Sequence, residues 1–222
     1  MTFDWHYFFH VFPLLIKALP LTLYLAVGIV IVSLIVGGVI SYLGLQSFKP
    51  LRWFASVYVS GFRAVPAVVQ IFLAYYGLPE LIPALKTVSP QTIIIFALGF
   101  KYAAYMAETF RSAIHSVDYG QQEAAKALHI KQSQYVLRVL WPQAAVNALP
   151  TVGNYIIGIL KETSLVFVIG VSEMFGEGKL LAGASFKYLE VYVAVGLIYW
   201  ALVVAYSSLQ RAVEWRFKRF EV

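Results

Sequence analysis

Hydrophobic residues run along this chain in long blocks separated by short polar interludes, a pattern of repeated membrane crossings. Leu21 to Leu43 holds 23 residues without a charge, enough at ~1.5 Å per residue to cross a hydrocarbon core of ~30 Å. That block predicts a first span at about 19–44. Similar blocks predict spans at about 54–77, 91–112, 144–170 and 190–210, the last built on the uncharged run Val191 to Leu209. Residues 118–141 break the pattern: they are polar, rich in alanine and helix-favouring, and so are expected in water.

Local signals refine these elements. Trp5 to Phe12 alternates aromatic and histidine side chains suited to the headgroup layer; His6 and His10 stand one helical turn apart but lack a third ligand, so no metal site is predicted. In GFRAVPAVVQ, Pro66 removes the donor that would satisfy the Phe62 carbonyl, which predicts a kink with a free carbonyl beside Arg63. Residues 78–90, with Pro79, Pro83 and Pro90, read as an external loop with a shallow re-entrant or interfacial turn, and the glycine-rich stretch 171–188 as a return outside the membrane.

Composition sharpens the class. Hydrophobic residues make up 60% of the 222 positions and charged residues only 13%, the balance of an integral membrane protein. The net charge of +6 is what basic loops supply to a multi-pass chain, so no nucleic-acid partner is inferred. Cysteine is absent, which removes disulfide and thiolate chemistry. The N-terminal segment lacks a basic region before its apolar run, so the first span is expected to stay in the membrane. Most Lys and Arg fall on one side of the predicted spans, including Lys49, Arg52, Lys126, Lys131 and the terminal set Arg211, Arg216, Lys218 and Arg219; Lys17, Lys86, Lys179 and Lys187 fall on the other. The positive-inside rule then sets the N-terminus outside and the C-terminus in the cytoplasm.

Two constellations carry candidate chemistry. The first is Gln121 to Arg138, read as two short helices with a turn at His129-Ile130. Glu123 is placed at the start of the first helix, and Ala124, Ala125 and Ala127 leave a low surface another protein can approach closely. An amphipathic linker is the competing reading. The second is the set of charges inside the spans: Arg63, Lys101 and Glu162, with Gln70 and Asn154. Placed near the midplane, these could share a cavity in which a cation takes the carboxylate of an amino acid, Glu162 takes its ammonium, and Gln70 or Asn154 hydrogen-bonds either. Against this stand pairing of the charges across helices and snorkelling of the lysines. Glu108 is expected to order the adjoining loop or to pair with Arg111, three residues on.

At these residues the chain resembles a known family. EAAKALHIKQSQYVLRVLWPQA is similar to the EAA loop of MetI-like ABC-transporter permeases, with Glu123, Ala124, Ala125 and Pro142 in place, His129 where the family has Gly, and Trp141 for its usual Leu. Histidine tolerates the left-handed turn better than most residues. FRAVPAVVQIFLAYYGLP (62–79), AAYMAETFRSAIHSVDYGQQEAAKAL (103–128) and LPTVGNYIIGILKETSLVFVIGVSEM (149–174) narrow the resemblance to polar amino-acid permeases of the histidine, glutamine, arginine and cystine kind.

The resemblance implies a single permease domain over residues 1–222: all-α, five spans, with a cytoplasmic coupling loop between the third and fourth. It implies a bacterial inner-membrane importer with a second identical or similar permease, two ATPase subunits and an extracytoplasmic substrate-binding protein. No G-x-x-x-x-G-K-[ST] occurs, so the chain is not expected to be an enzyme or to hold a cofactor, and ATP and Mg are assigned to the partner. A polar amino acid is the expected substrate, with cystine favoured by the near balance of intramembrane charges and cationic or acidic amino acids as alternatives. A membrane enzyme is disfavoured by four histidines scattered in interfacial or loop segments, and a secondary transporter by the lack of two equal halves.

Overall fold

The computed structural model describes residues 3–218; Arg219, counted above among the cytoplasmic cations, lies outside them, as do Met1, Thr2 and the last three residues. The described chain is helical: α1 (Trp5–Gly44), α2 (Lys49–Ala64), α3 (Ala67–Phe72), a π-helical turn (Leu73–Gly77), α4 (Leu78–Leu81), a 3-10 turn (Pro83–Thr87), α5 (Pro90–His115), α6 (Tyr119–Ala127), α7 (Gln132–Tyr135), a π turn (Val136–Leu140), α8 (Trp141–Glu162), a 3-10 turn (Thr163–Ile169), α9 (Met174–Ser185) and α10 (Tyr188–Lys218). Among the described residues, four helical segments are long and apolar enough to cross a membrane, and a fifth crossing follows if the bent pair Lys49–Ala64 and Ala67–Leu81 counts as one.

α1 starts well before the charge-free block. Its 40 residues rise about 60 Å, twice a hydrocarbon core, and Asp4 caps its start by accepting from the Tyr7 amide at 2.9 Å. It packs along α5 through small residues. A Cβ on Gly37 would stand 2.6 Å from Met106 Cβ and 3.0 Å from the Ala103 carbonyl, and one on Gly99 would stand 2.5 Å from Val32 Cγ1. Close approach of two backbones is how apolar helices associate where water supplies no driving force.

The second predicted span is broken outright. Val65 is extended, at φ −81° and ψ 131°, the conformation a following proline imposes, and the chain turns by 108° between the two halves. The Phe62 carbonyl freed by Pro66 is not left open as the sequence suggested. Gln70 Nε2 donates to it at 2.9 Å and to the Val65 carbonyl at 2.8 Å.

Residues 132–169 form one nearly continuous helical rod, so the second half of the polar segment runs straight into the fourth span. Gly170, at φ 82°, ends it. The stretch 171–188 contains α9 (Met174–Ser185), packed against α1 and α10. Glu173 anchors it: fully buried, it accepts from the Phe175 and Gly176 amides, from Thr22 Oγ1 at 2.8 Å and from Tyr199 Oη at 3.2 Å. A carboxylate at a helix N-terminus with this many donors is satisfied without a cation. Nothing local in the sequence showed that Thr22, Glu173 and Tyr199 would meet.

Candidate functional site

The charges of the third and fourth spans meet. Lys101 on α5 places Nζ 2.6 and 2.7 Å from the two oxygens of Glu162, at the end of α8. Lys101 is buried, while the Glu162 side chain keeps 28% of its surface exposed, so the pair is open on the glutamate side. Tyrosines surround it. Nζ lies 4.7 Å from the ring centre of Tyr102 and 5.8 Å from that of Tyr105, and Tyr155 packs on both rings. Ring faces and a carboxylate together compensate an ammonium removed from water. Gly158 makes room for this: a Cβ there would stand 2.9 Å from the Tyr102 hydroxyl.

Of the other predicted site residues, Arg63 joins this cluster through one ring. Its guanidinium carbon lies 5.5 Å from the centre of Tyr105, but the side chain is exposed toward a separate cavity. Gln70 is held on the backbone carbonyls of the broken helix, with Oε1 buried and unpartnered among the described residues. Asn154 is exposed on α8, eight residues and so about 12 Å of rise from Glu162. Glu108 pairs with Arg111 at 2.6 Å. The tyrosines were overlooked in the sequence, although KYAAY puts two of them at one and four residues from Lys101, the second on the same helix face.

The polar segment forms the expected pair of helices, α6 and α7, with His129 at φ 54° between them. The turn is a Schellman closure: the Ile130 amide donates to the Ala125 carbonyl at 2.9 Å and the His129 amide to that of Lys126 at 3.0 Å. Glu123 does not start the helix. Asp118 caps it, accepting from the Gly120 amide, and Glu123 sits mid-helix, exposed, with no hydrogen-bond or ion-pair partner among the described residues. Ala124 and Ala127 are exposed beside it, Ala125 is buried, and Tyr119 and Leu128 expose 65% and 72% of their surface. A small-residue helix flanked by exposed apolar side chains and one unpaired carboxylate has the make-up of a protein contact.

The family model for the binding-protein-dependent transport system inner membrane component matches residues 30–219. The chain belongs to that family. Its relatives are amino-acid permeases of ABC transporters. The probable amino-acid permease protein YxeN of Bacillus subtilis is 44% identical, over 96% of this chain and 95% of its own length. The L-cystine transport system permease TcyL of Bacillus subtilis is 35% identical over 93% and 88%, and the arginine transport system permease ArtQ of the same organism 34% over 93% of each. A solved chain from an amino acid ABC transporter crystallised with histidines superposes with a TM-score of 0.89 at 32% identity, covering 97% of this chain and 100% of that one. In this permease family the chain is an inner-membrane, multi-pass component.

Proposed function

We propose that the chain is the translocating subunit of an ATP-driven importer in the bacterial cytoplasmic membrane, and that a polar amino acid passes through the site of the Lys101–Glu162 pair. The bidentate pair itself carries this reading. A free amino acid bears one ammonium and one carboxylate, so it can take Glu162 with the first and Lys101 with the second, exchanging one ion pair for two at little net cost in buried charge. The rings of Tyr102, Tyr105 and Tyr155 supply apolar walls for the side chain, and Arg63 reaches the same cluster from below. Gln70 acts here by holding the broken span in place, and Asn154 lies farther along the path. The one-to-one balance of the pair favours a neutral or zwitterionic substrate, cystine first. An acidic amino acid is the second reading, favoured by Arg63 on the ring of Tyr105; a cationic one requires Glu162 to outweigh both basic groups.

The N-terminus faces outside and the C-terminus the cytoplasm. A second permease subunit, identical or similar, completes the path, and an extracytoplasmic binding protein delivers the substrate. Two ABC ATPase subunits, which bind ATP and Mg, dock one on each permease's α6 through Glu123, Ala124 and Ala127, while Ala125, assigned to that surface from the sequence, is buried beneath it and His129 sets the turn. Because residues 132 to 169 run as one helical segment, movement of the loop is carried along it toward Glu162.

The test is ATPase activity in liposomes holding the chain with its ATPase subunit, with and without loaded binding protein. Stimulation by one loaded binding protein, lost in Glu123→Lys while insertion is kept, is the expected result. Full stimulation in that variant contradicts the docking role.

A further inference from the structure

A cavity of about 740 Å³ between α1, α2 and α5 is lined by four cations, Lys49, Arg52, Arg63 and Arg111, and by a single carboxylate, Glu108. Arg111 occupies that carboxylate, and among the described residues no carboxylate lies within ion-pair distance of Lys49, Arg52 or Arg63. Ser41 of α1 lines the same cavity. It is 5% exposed, and its hydroxyl has no hydrogen-bond partner among the described residues. A buried helical serine ordinarily returns its hydroxyl to a carbonyl of the preceding turn, and one that does not is a polar group waiting for a ligand. The N-terminus of α2, beside Lys49, also lacks a side-chain cap. The cavity therefore has an excess of donors and positive charge with nothing among the described residues to neutralise it.

Its position says what kind of anion it meets. Lys49 opens α2 and Arg111 lies one turn from the end of α5, so the cavity belongs to the end of the bundle from which α6 emerges. Trp53, 69% exposed, is at its rim, and Phe54 and Val57 continue an exposed apolar surface up α2. An indole at the headgroup layer with apolar wall above and basic groups below is the profile of a lipid contact.

We infer that this cavity holds the phosphate of an anionic phospholipid of the cytoplasmic leaflet. The unesterified phosphate oxygens face Lys49, Arg52 and the Ser41 hydroxyl, and the acyl chains lie along the apolar face of α2. A soluble phosphate ester offers the same head but nothing for that face to cover. Lipid bound here would brace α2 below its 108° break, the element that carries Arg63 into the site.

The test is native mass spectrometry of the full chain released from detergent, with phosphatidylglycerol or phosphatidylcholine of matched acyl chains added. Phosphatidylglycerol is retained preferentially, and Lys49→Gln with Arg52→Gln weakens its retention about 30-fold, as expected for two cations facing an anionic headgroup. Ser41→Ala, which removes no charge, weakens it less, and Lys131→Gln with Arg138→Gln, an equal charge change outside the cavity, leaves it unchanged. Equal retention by the Lys49 and Arg52 variant overturns the site. Displacement of the lipid by glycerol 1-phosphate at the same concentration overturns the lipid assignment. So does efficient disulfide formation between two copies carrying Trp53→Cys in an otherwise cysteine-free chain, since the mouth would then be covered by a second subunit.

Discussion

Gln70 donates its side-chain amide to the carbonyl of Phe62 at 2.9 Å, the carbonyl that Pro66 deprives of its helical donor. One glutamine thus stands in for a missing backbone N–H and also ties the far side of the break, through Val65. Gln70→Leu keeps the volume and removes the donor, leaving two carbonyls unsatisfied at about 1–3 kcal/mol each. Thermal unfolding of the purified chain should show a clearly lowered midpoint, whereas an unchanged midpoint would mean that water already satisfies these carbonyls.

How much of this was legible in the sequence depends on the range of the forces involved. The broken span was readable from Pro66 because proline acts on its neighbours, and the His129 turn because the left-handed region admits few residues. The rescue of the Phe62 carbonyl was not read, since Gln70 lies eight residues on, past the break. Thr22 and Glu173 are 151 residues apart, and no local pattern announces such a pairing. The opposite charges of Lys101 and Glu162 were visible as partners, but composition cannot say whether they bind each other or something between them.

The turn at His129 gives a paired substitution. At φ 54° a β-branched side chain is strained by about 1–2 kcal/mol, and glycine relieves what strain histidine carries. His129→Val should speed hydrogen exchange at the Ile130 amide, which closes the turn, and His129→Gly should slow it. Equal rates in the two variants would show that the closure does not depend on this residue.

Close packing of α1 on α5 predicts a sharp contrast between adjacent glycines. Gly37→Ala drives a methyl into Met106 Cβ and the Ala103 backbone, an overpacking worth about 1–3 kcal/mol, while nothing lies within 4 Å of a Cβ on Gly38. Gly38→Ala should unfold at the parental temperature or slightly above, and Gly37→Ala below it.

At the start of α1, the ammonium of Lys187 and the Tyr7 amide beside Asp4 hold its carboxyl below the usual carboxylate range. The lowered value means that the stabilisation is complete above the ordinary carboxylate pKa and is lost as pH falls through the folded-state value. Between pH 6 and pH 3 the unfolding midpoint of the parent should therefore fall by more than that of Asp4→Asn. The difference should be small and should shrink in high salt, because both groups are accessible to solvent.

The account turns on Lys101 and Glu162 exchanging each other for the two charged ends of a substrate. Replacing both, as Lys101→Met with Glu162→Leu, removes the pair without stranding a buried charge, whereas Glu162→Leu alone leaves the buried Lys101 uncompensated at a cost of about 3–5 kcal/mol. The decisive measurement is uptake of a labelled amino-acid panel by proteoliposomes holding the complete transporter with this double variant. The expected result is a correctly inserted complex that transports none of the panel, while transport of any of them at the parental rate would rule out the exchange.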